Sequence, residues 1–272
     1  MTEQLERDGR NAVNDLHVHT QFSYDAPEGS MERSCRRALE IGLPAIAFTE
    51  HADHVADAKR FDVERYAGSI ERCRARFPGL RILSGVELGE PHRFRAESDA
   101  LLTGYPFDLV LGSCHSILVE DRLVWIGTDG TLHPDVAHAS VRSFFRETLA
   151  LVEDGPIFAS LTHLDYPKRY WPHDVLAYRE EDFEEEYRAV LAAAAAADIA
   201  VEINTEPTSS RYGPCPGALV VRWWREAGGR ALSFGSDAHR PDDVASGLEL
   251  AAAIARTEGF RDARHGLGFW RR

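Results

Sequence analysis

The stretch Asn14–Asp25, "NDLHVHTQFSYD", sets two histidines two residues apart in a run where apolar and polar residues alternate. Alternation of period two is the mark of a strand, and it sends His17 and His19 out from one face. Neutral imidazole is a common metal ligand, so the pair suits a bound cation. By itself the pair is weak, because surface strands carry such spacings by chance. Further groups of the same chemistry follow: His51 in "FTEH", Glu87 in "SGVEL", His115 in "GSCH", His163 in "LTH", and Asp237 and His239 in "GSDAH". With Asp25 they make nine candidate ligands, too many for one tetrahedral zinc. Carboxylates can bridge two cations, and ions about 3.5–4 Å apart are a recurring device for cleaving phosphoesters. The imidazole content points to two or three ions of zinc, iron or manganese.

Something must bring these residues together. Strand-like apolar runs stand at 13–19, 44–50, 80–88, 107–113, 156–163, 199–204 and 231–237. Helix-like stretches lie between and after them, at 30–42, 62–77, 94–103, 137–153, 180–197, 216–228 and 243–256. Glycine and proline at Gly42–Pro44, Pro78–Gly79, Gly155–Pro156 and Gly228–Gly229 mark helix ends before the next strand. Strict alternation predicts an α/β fold with a parallel sheet, and the length favours a seven-stranded barrel formed by residues 1–272 as one domain. In such barrels the strand carboxyl ends converge on one face, where active sites are built. Six of the twelve histidines fall at those ends. That placement is improbable by chance, and the metal reading wins. The segment Ser116–Asp135 is a long excursion, expected as a lid or hairpin over one face.

The bulk properties limit the partners. With 31 basic against 44 acidic residues, the net charge of −13 disfavours a nucleic-acid polymer or an anionic membrane. A small phosphorylated substrate held by a few local charges remains compatible. The four cysteines, Cys35, Cys73, Cys114 and Cys215, form no Cys-x-x-Cys and read as reduced thiols of a cytoplasmic protein. The first residues lack the apolar core of a signal peptide, and no stretch is long enough for a membrane span.

Taken together and in order, Asp15-x-His17-x-His19, "TEH", "GVE", "GSCHS", "THLDYPKRY" and "GSDAH" resemble the polymerase-and-histidinol-phosphatase (PHP) superfamily over nearly the whole chain. The resemblance implies a distorted seven-stranded β/α barrel and a trinuclear site. It assigns His17, His19, Glu87 and Asp237 to the first ion, Glu87, His115 and His163 to the second, and Asp25, His51 and His239 to the third. "THLDYPKRY", "VEINTE" and "SDAHRPDDVASGLE" are most similar to the histidinol-phosphate phosphatase branch, which hydrolyses L-histidinol phosphate to L-histidinol and phosphate. Glu87 is then the bridging carboxylate, and Asp237 or a histidine such as His239 is the proton donor to the leaving alkoxide. Lys168, Arg169, Arg211 and Arg240 sit in loops after strands and suit phosphate oxygens; Arg240 is counted with the catalytic group, and Asn204 with the substrate contacts.

Several neighbours carry expectations of their own. Asp15 is expected to orient a ligand histidine, Glu50 and Asp165 to support adjacent ligands, and His54 and His92 to touch substrate. Asp165, Asn204 and Glu206 could meet the amine and imidazole of histidinol. The terminal "RHGLGFWRR" reads as a docking tail. Another phosphoesterase, acting on a nucleotide or other small phosphate, is the alternative, kept open by Tyr166, Tyr170, Trp171 and Tyr212. An amidohydrolase fits less well, since neither Lys59 nor Lys168 lies on a strand. A non-catalytic metal-binding module would be marked by missing ligands, and none is missing.

Overall fold

The computed structural model describes residues 13–55, 60–128, 130–206, 212–263 and 266–272. Buried apolar runs form strands β1 (Asp15–Val18), β2 (Ala45–Ala52), β3 (Arg81–Gly89), β4 (Leu109–Ser113), β7 (Ser160–Leu161), β8 (Ala200–Asn204) and β9 (Ala231–Gly235). These pair in chain order, each parallel to the next. Helices α1 (Met31–Ile41), α2 (Val63–Arg76), α3 (Arg95–Gly104), α4 (Ala137–Glu153), α5 (Glu184–Ala196) and α6 (Ala218–Glu226) make the crossovers, and α7 (Leu248–Thr257) follows β9. Local chemistry starts and stops them. The Ser30 side chain accepts from Arg33 N at the head of α1, and Gly42, at φ 76°, closes it in the left-handed conformation.

Among the described residues the sheet has nine strands, the seven parallel ones and a short antiparallel pair. Strands β10 (Arg261–Asp262) and β11 (Trp270–Arg271) add antiparallel pairing beside β9. The supposed docking tail is therefore, at its end, a strand of the chain's own sheet, paired on both sides between β9 and β10. Trp270 is buried there with its ring 5.0 Å from Phe234. The strand expected at 156–163 shrinks to two paired residues, although Ala159 N and Thr162 N still donate to β4 at Val110 O and Gly112 O.

The sheet curls. At the carboxyl ends β1 meets β9 directly, with His19 N donating to Ala238 O at 2.9 Å and Asp237 N to His17 O at 2.7 Å. At the amino ends β11 pairs with Ala231 and Leu232 of β9 instead. Leu16, Ala47, Leu83, Leu109, Leu111, Ala200, Ala231 and Phe269 fill one apolar cluster. Two larger clusters join helices to the sheet. The excursion after β4 is a hairpin, β5 (Ser116–Val119) with β6 (Arg122–Trp125), and it stacks the Trp125 ring over His115 at 5.9 Å.

Candidate metal centre

Eight of the nine expected ligands stand at or just beyond strand carboxyl ends, Asp25 follows in the loop after β1, and the curl draws them together. His51 and Glu87 are register partners in the β2–β3 ladder. The Glu87 carboxylate is fully buried. Its Oε2 lies 3.3 Å from His17 Nε2, 3.4 Å from His19 Nε2 and 3.0 Å from His51 Nδ1. Its Oε1 lies 3.4 Å from His115 Nε2 and 2.8 Å from His163 Nε2. Asp237 Oδ1 approaches His17, His19 and His239 at 3.6, 3.1 and 3.7 Å. Asp25 Oδ2 stands 3.3 Å from His51 Nε2 and 3.1 Å from His239 Nε2.

The outer nitrogens of these rings are held, which fixes the tautomers. His17 Nδ1–H donates to Glu202 Oε1 at 2.8 Å, and His115 Nδ1–H to Asp53 Oδ1 at 3.0 Å. The Ser23 hydroxyl donates to Glu50 and so accepts from His19 Nδ1–H at 3.0 Å. His239 Nδ1–H donates to the Asp237 carbonyl at 2.8 Å. Each of these rings therefore turns Nε2 inward, where loss of its proton to an incoming cation would leave a lone pair. His17 Nε2 and His19 Nε2 come within 3.0 Å of each other. At that distance a proton or a cation must lie between them: in the ion-free protein the charged His17 donates to the neutral His19. Two buried atoms of the cluster, His51 Nδ1 and Glu87 Oε2, have no hydrogen-bond partner. An orphaned carboxylate oxygen amid inward-facing imidazoles is what a cation site requires, and the donor set fits metal ions.

The charges balance one another. Burial opposes ionisation of Glu87 and Asp237, yet both stay well below the usual carboxylate range. His17, His51 and His115 outweigh burial at Glu87, and His17 and Arg169 do so at Asp237. Burial and the neighbouring His51 and His239 push His19 down to about 3. Burial also works against charging His115, but Asp53 and Glu87 raise it to about 10. Asp237 holds a left-handed backbone at φ 51°, a strained conformation for a non-glycine residue.

The PHP domain family matches residues 15–206. The chain belongs to the PHP domain family. This PHP protein is 28% identical over 255 residues to the histidinol-phosphatase of Lactococcus lactis subsp. lactis (strain IL1403), covering 91% of this chain and 92% of that one. It is 28% identical to a "Probable histidinol-phosphatase" of Clostridium acetobutylicum, covering 90% and 93%. Its structure is similar to that of histidinol phosphate phosphatase from Lactococcus lactis subsp. lactis Il1403, solved in complex with zinc, L-histidinol and phosphate. The TM-score is 0.80 at 26% identity, over 91% of this chain and 94% of that chain.

A cavity of about 280 Å³ opens over the PHP cluster. Asp25, His51, His115, His163, Asp237 and His239 line it from the cluster side, and Tyr166, Arg169, Tyr170 and Glu206 from the rim. Arg169 Nη2 reaches Asn204 Oδ1 and Asp237 Oδ2, both at 2.7 Å, and its buried Nε has no hydrogen-bond partner.

Other expectations need correction. Lys168 is buried and turns away from the cavity, bonding Pro214 O at 3.1 Å and Glu180 at 3.4 Å. Arg240 points outward to Glu28 at 3.0 Å and is more than half exposed. Asn204 is buried with its amide already committed to Glu202, Asp237, Arg169 and Glu206 N, so it braces the site rather than facing substrate. Arg211 lies outside the described residues. Asp15 orients no ligand ring; it accepts from Ser236 N, Ser236 Oγ and Ala245 N, pinning the backbone beside strained Asp237. Asp165 bonds the Tyr187 hydroxyl in the core. His92 pairs with Glu147, and His54 lies against Phe94.

Glu202 and Asp53, which hold His17 and His115, belong to none of the ligand motifs. Both carry a period-two signal, Glu202 with Asn204 and Asp53 with His51.

Proposed function

We propose that this chain is a metal-dependent phosphatase that hydrolyses L-histidinol phosphate to L-histidinol and phosphate. The observation that carries the reading is the buried cluster around Glu87 opening onto a cavity that Arg169 lines. It lies in a chain similar, over nine-tenths of its length, to a phosphatase solved with zinc, L-histidinol and phosphate. On this reading the seven parallel strands form a distorted (β/α)7 barrel, residues 1–272 act as one domain, and the four free cysteines suit the cytoplasm. Among the described residues no helix is long and apolar enough to cross a membrane.

His17, His19, Glu87 and Asp237 would hold one ion, Glu87, His115 and His163 a second, and Asp25, His51 and His239 a third, of zinc, iron or manganese. Bound ions supply Lewis-acid polarisation of phosphoryl oxygens and acidify water. The protein's own groups do the rest. Arg169, a lining residue of the cavity, would bring its guanidinium, already held by Asn204 and Asp237, to a phosphoryl oxygen. Asp237, kept ionised by His17 and Arg169, carries no proton to give the leaving alkoxide. Glu206 on the rim suits the ammonium of histidinol.

The test is phosphate release by zinc- or manganese-loaded protein from L-histidinol phosphate and from nucleoside monophosphates. Higher kcat/KM is expected on histidinol phosphate. Preference for a nucleotide, with Tyr166 and Tyr170 as stacking surfaces, would transfer the assignment to the nucleotide class.

A further inference from the structure

Asp53 directly follows β2 and keeps a two-residue spacing with His51. Its carboxylate is inaccessible to solvent. Oδ1 takes the Nδ1 proton of His115 at 3.0 Å. Oδ2 accepts the Tyr24 hydroxyl at 3.0 Å and stands 3.3 Å from His51 Nδ1. That His51 nitrogen lies between Asp53 Oδ2 and Glu87 Oε2, well aligned with neither. The space for the carboxylate comes from Gly89, where any Cβ would overlap Asp53 Oδ1.

The two rings that Asp53 touches look in different directions. His115 Nε2 faces Glu87 Oε1, whereas His51 Nε2 faces Asp25 Oδ2. A ligand imidazole must present a lone pair, and its other nitrogen then carries a proton that needs an acceptor. Glu87 is the shared centre of the cluster, so with Glu87 engaged by ions Asp53 is the acceptor left to His51. We propose that Asp53 is a positioning residue serving two ions at once: one carboxylate takes the Nδ1 protons of His51 and His115 and turns each Nε2 toward a different ion. This rests on the reading of the cluster as a metal centre, and is independent of the substrate.

Full-length wild-type and Asp53→Asn proteins, loaded with zinc, would be titrated with a chromophoric chelator while bound zinc is counted. An asparagine has one acceptor oxygen and cannot take both protons. Two ions should become about 10–100-fold easier to remove, with the remaining zinc unaffected. The ion-free variant should melt near the ion-free wild type, which a purely structural role would not allow. Gly89→Ala, which crowds the carboxylate without deleting it, should loosen the same ions. Folded variants that keep all zinc at wild-type resistance, or that loosen one ion alone, overturn the proposal. Wild-type protein that binds no zinc overturns it together with the metal-centre reading. Protein that binds zinc normally but ignores histidinol phosphate defeats the substrate reading alone.

Discussion

Arg169 is held in place by the groups it serves. Its guanidinium joins Asn204 to Asp237, lies 5.0 Å over the Tyr166 ring, and keeps Nε 3.9 Å from Glu206 Oε2. Arg169→Ala should lower kcat/KM by about 10²–10³-fold, the usual cost of deleting one charge-stabilising donor. Arg169→Lys should recover little, because a point charge cannot span two acceptors and a ligand. Near-normal steady-state kinetics in either variant would contradict this role. The imidazoles predict a second measurable effect. His17, His51, His115 and His239 are raised above their ordinary pKa: burial opposes charging, but the surrounding carboxylates prevail. At neutral pH the ion-free protein therefore holds protons that metal must displace. That protonation stabilises the ion-free fold below about pH 6.5. The contribution fades as pH climbs through the folded values, up to about 10 for His115. Zinc binding should release protons and tighten from pH 6 to 9, as calorimetry in buffers of different ionisation enthalpy would read. Uptake of protons, or none exchanged, would refute it. The cluster was legible in the sequence because histidines at strand ends are conspicuous. Glu202 and Asp53 were not, since a buried carboxylate on a strand looks like any polar residue until its partner ring is seen.

Helices and loops give a test away from the site. Glu147 of α4 clamps the turn after β3, accepting from Arg93 at 2.6 and 2.8 Å and lying 3.3 Å from His92. Burial resists ionisation of Glu147, but these donors outweigh it and lower the pKa to about 2. A depressed carboxylate stabilises the fold above its unfolded pKa, and the effect is lost as pH falls from about 4.5 toward 2. Glu147→Gln should cost about 1–2 kcal/mol at pH 7, allowing for solvent screening. In urea titrations the gap from wild type should narrow below pH 4.5; a constant gap would rule out the charge as its origin. Most strands and helices were legible from apolar alternation and from Gly/Pro punctuation. What escaped was decided by distant contacts: two-residue strands such as Trp270–Arg271 carry no period of their own and exist because β9 offers an edge to pair with. Lys168 looked like a phosphate ligand by sequence position, but Glu180 and Pro214 draw it inward.

Across the whole molecule, the candidate ligands come from both ends of the described parallel array, so bound ions would tie β1 to β9 as well as perform chemistry. An ion present at a thousand times its Kd adds about 4 kcal/mol to stability. Chelation should therefore lower Tm by roughly 10 °C, measured by scanning calorimetry before and after treatment and again on re-addition of zinc. An unchanged Tm would show that the strands close without help. The closure itself has a timetable. Asp25 and its neighbour His239 are 214 positions apart. At about 5–20 residues per second, a ribosome needs roughly 10–40 s to deliver the second after the first. Throughout that interval the early histidines are available to any passing ion but lack the residues that would complete their coordination. Selective loading would then wait until β9 docks on β1, and any metal bound there would be the one at hand when folding ends.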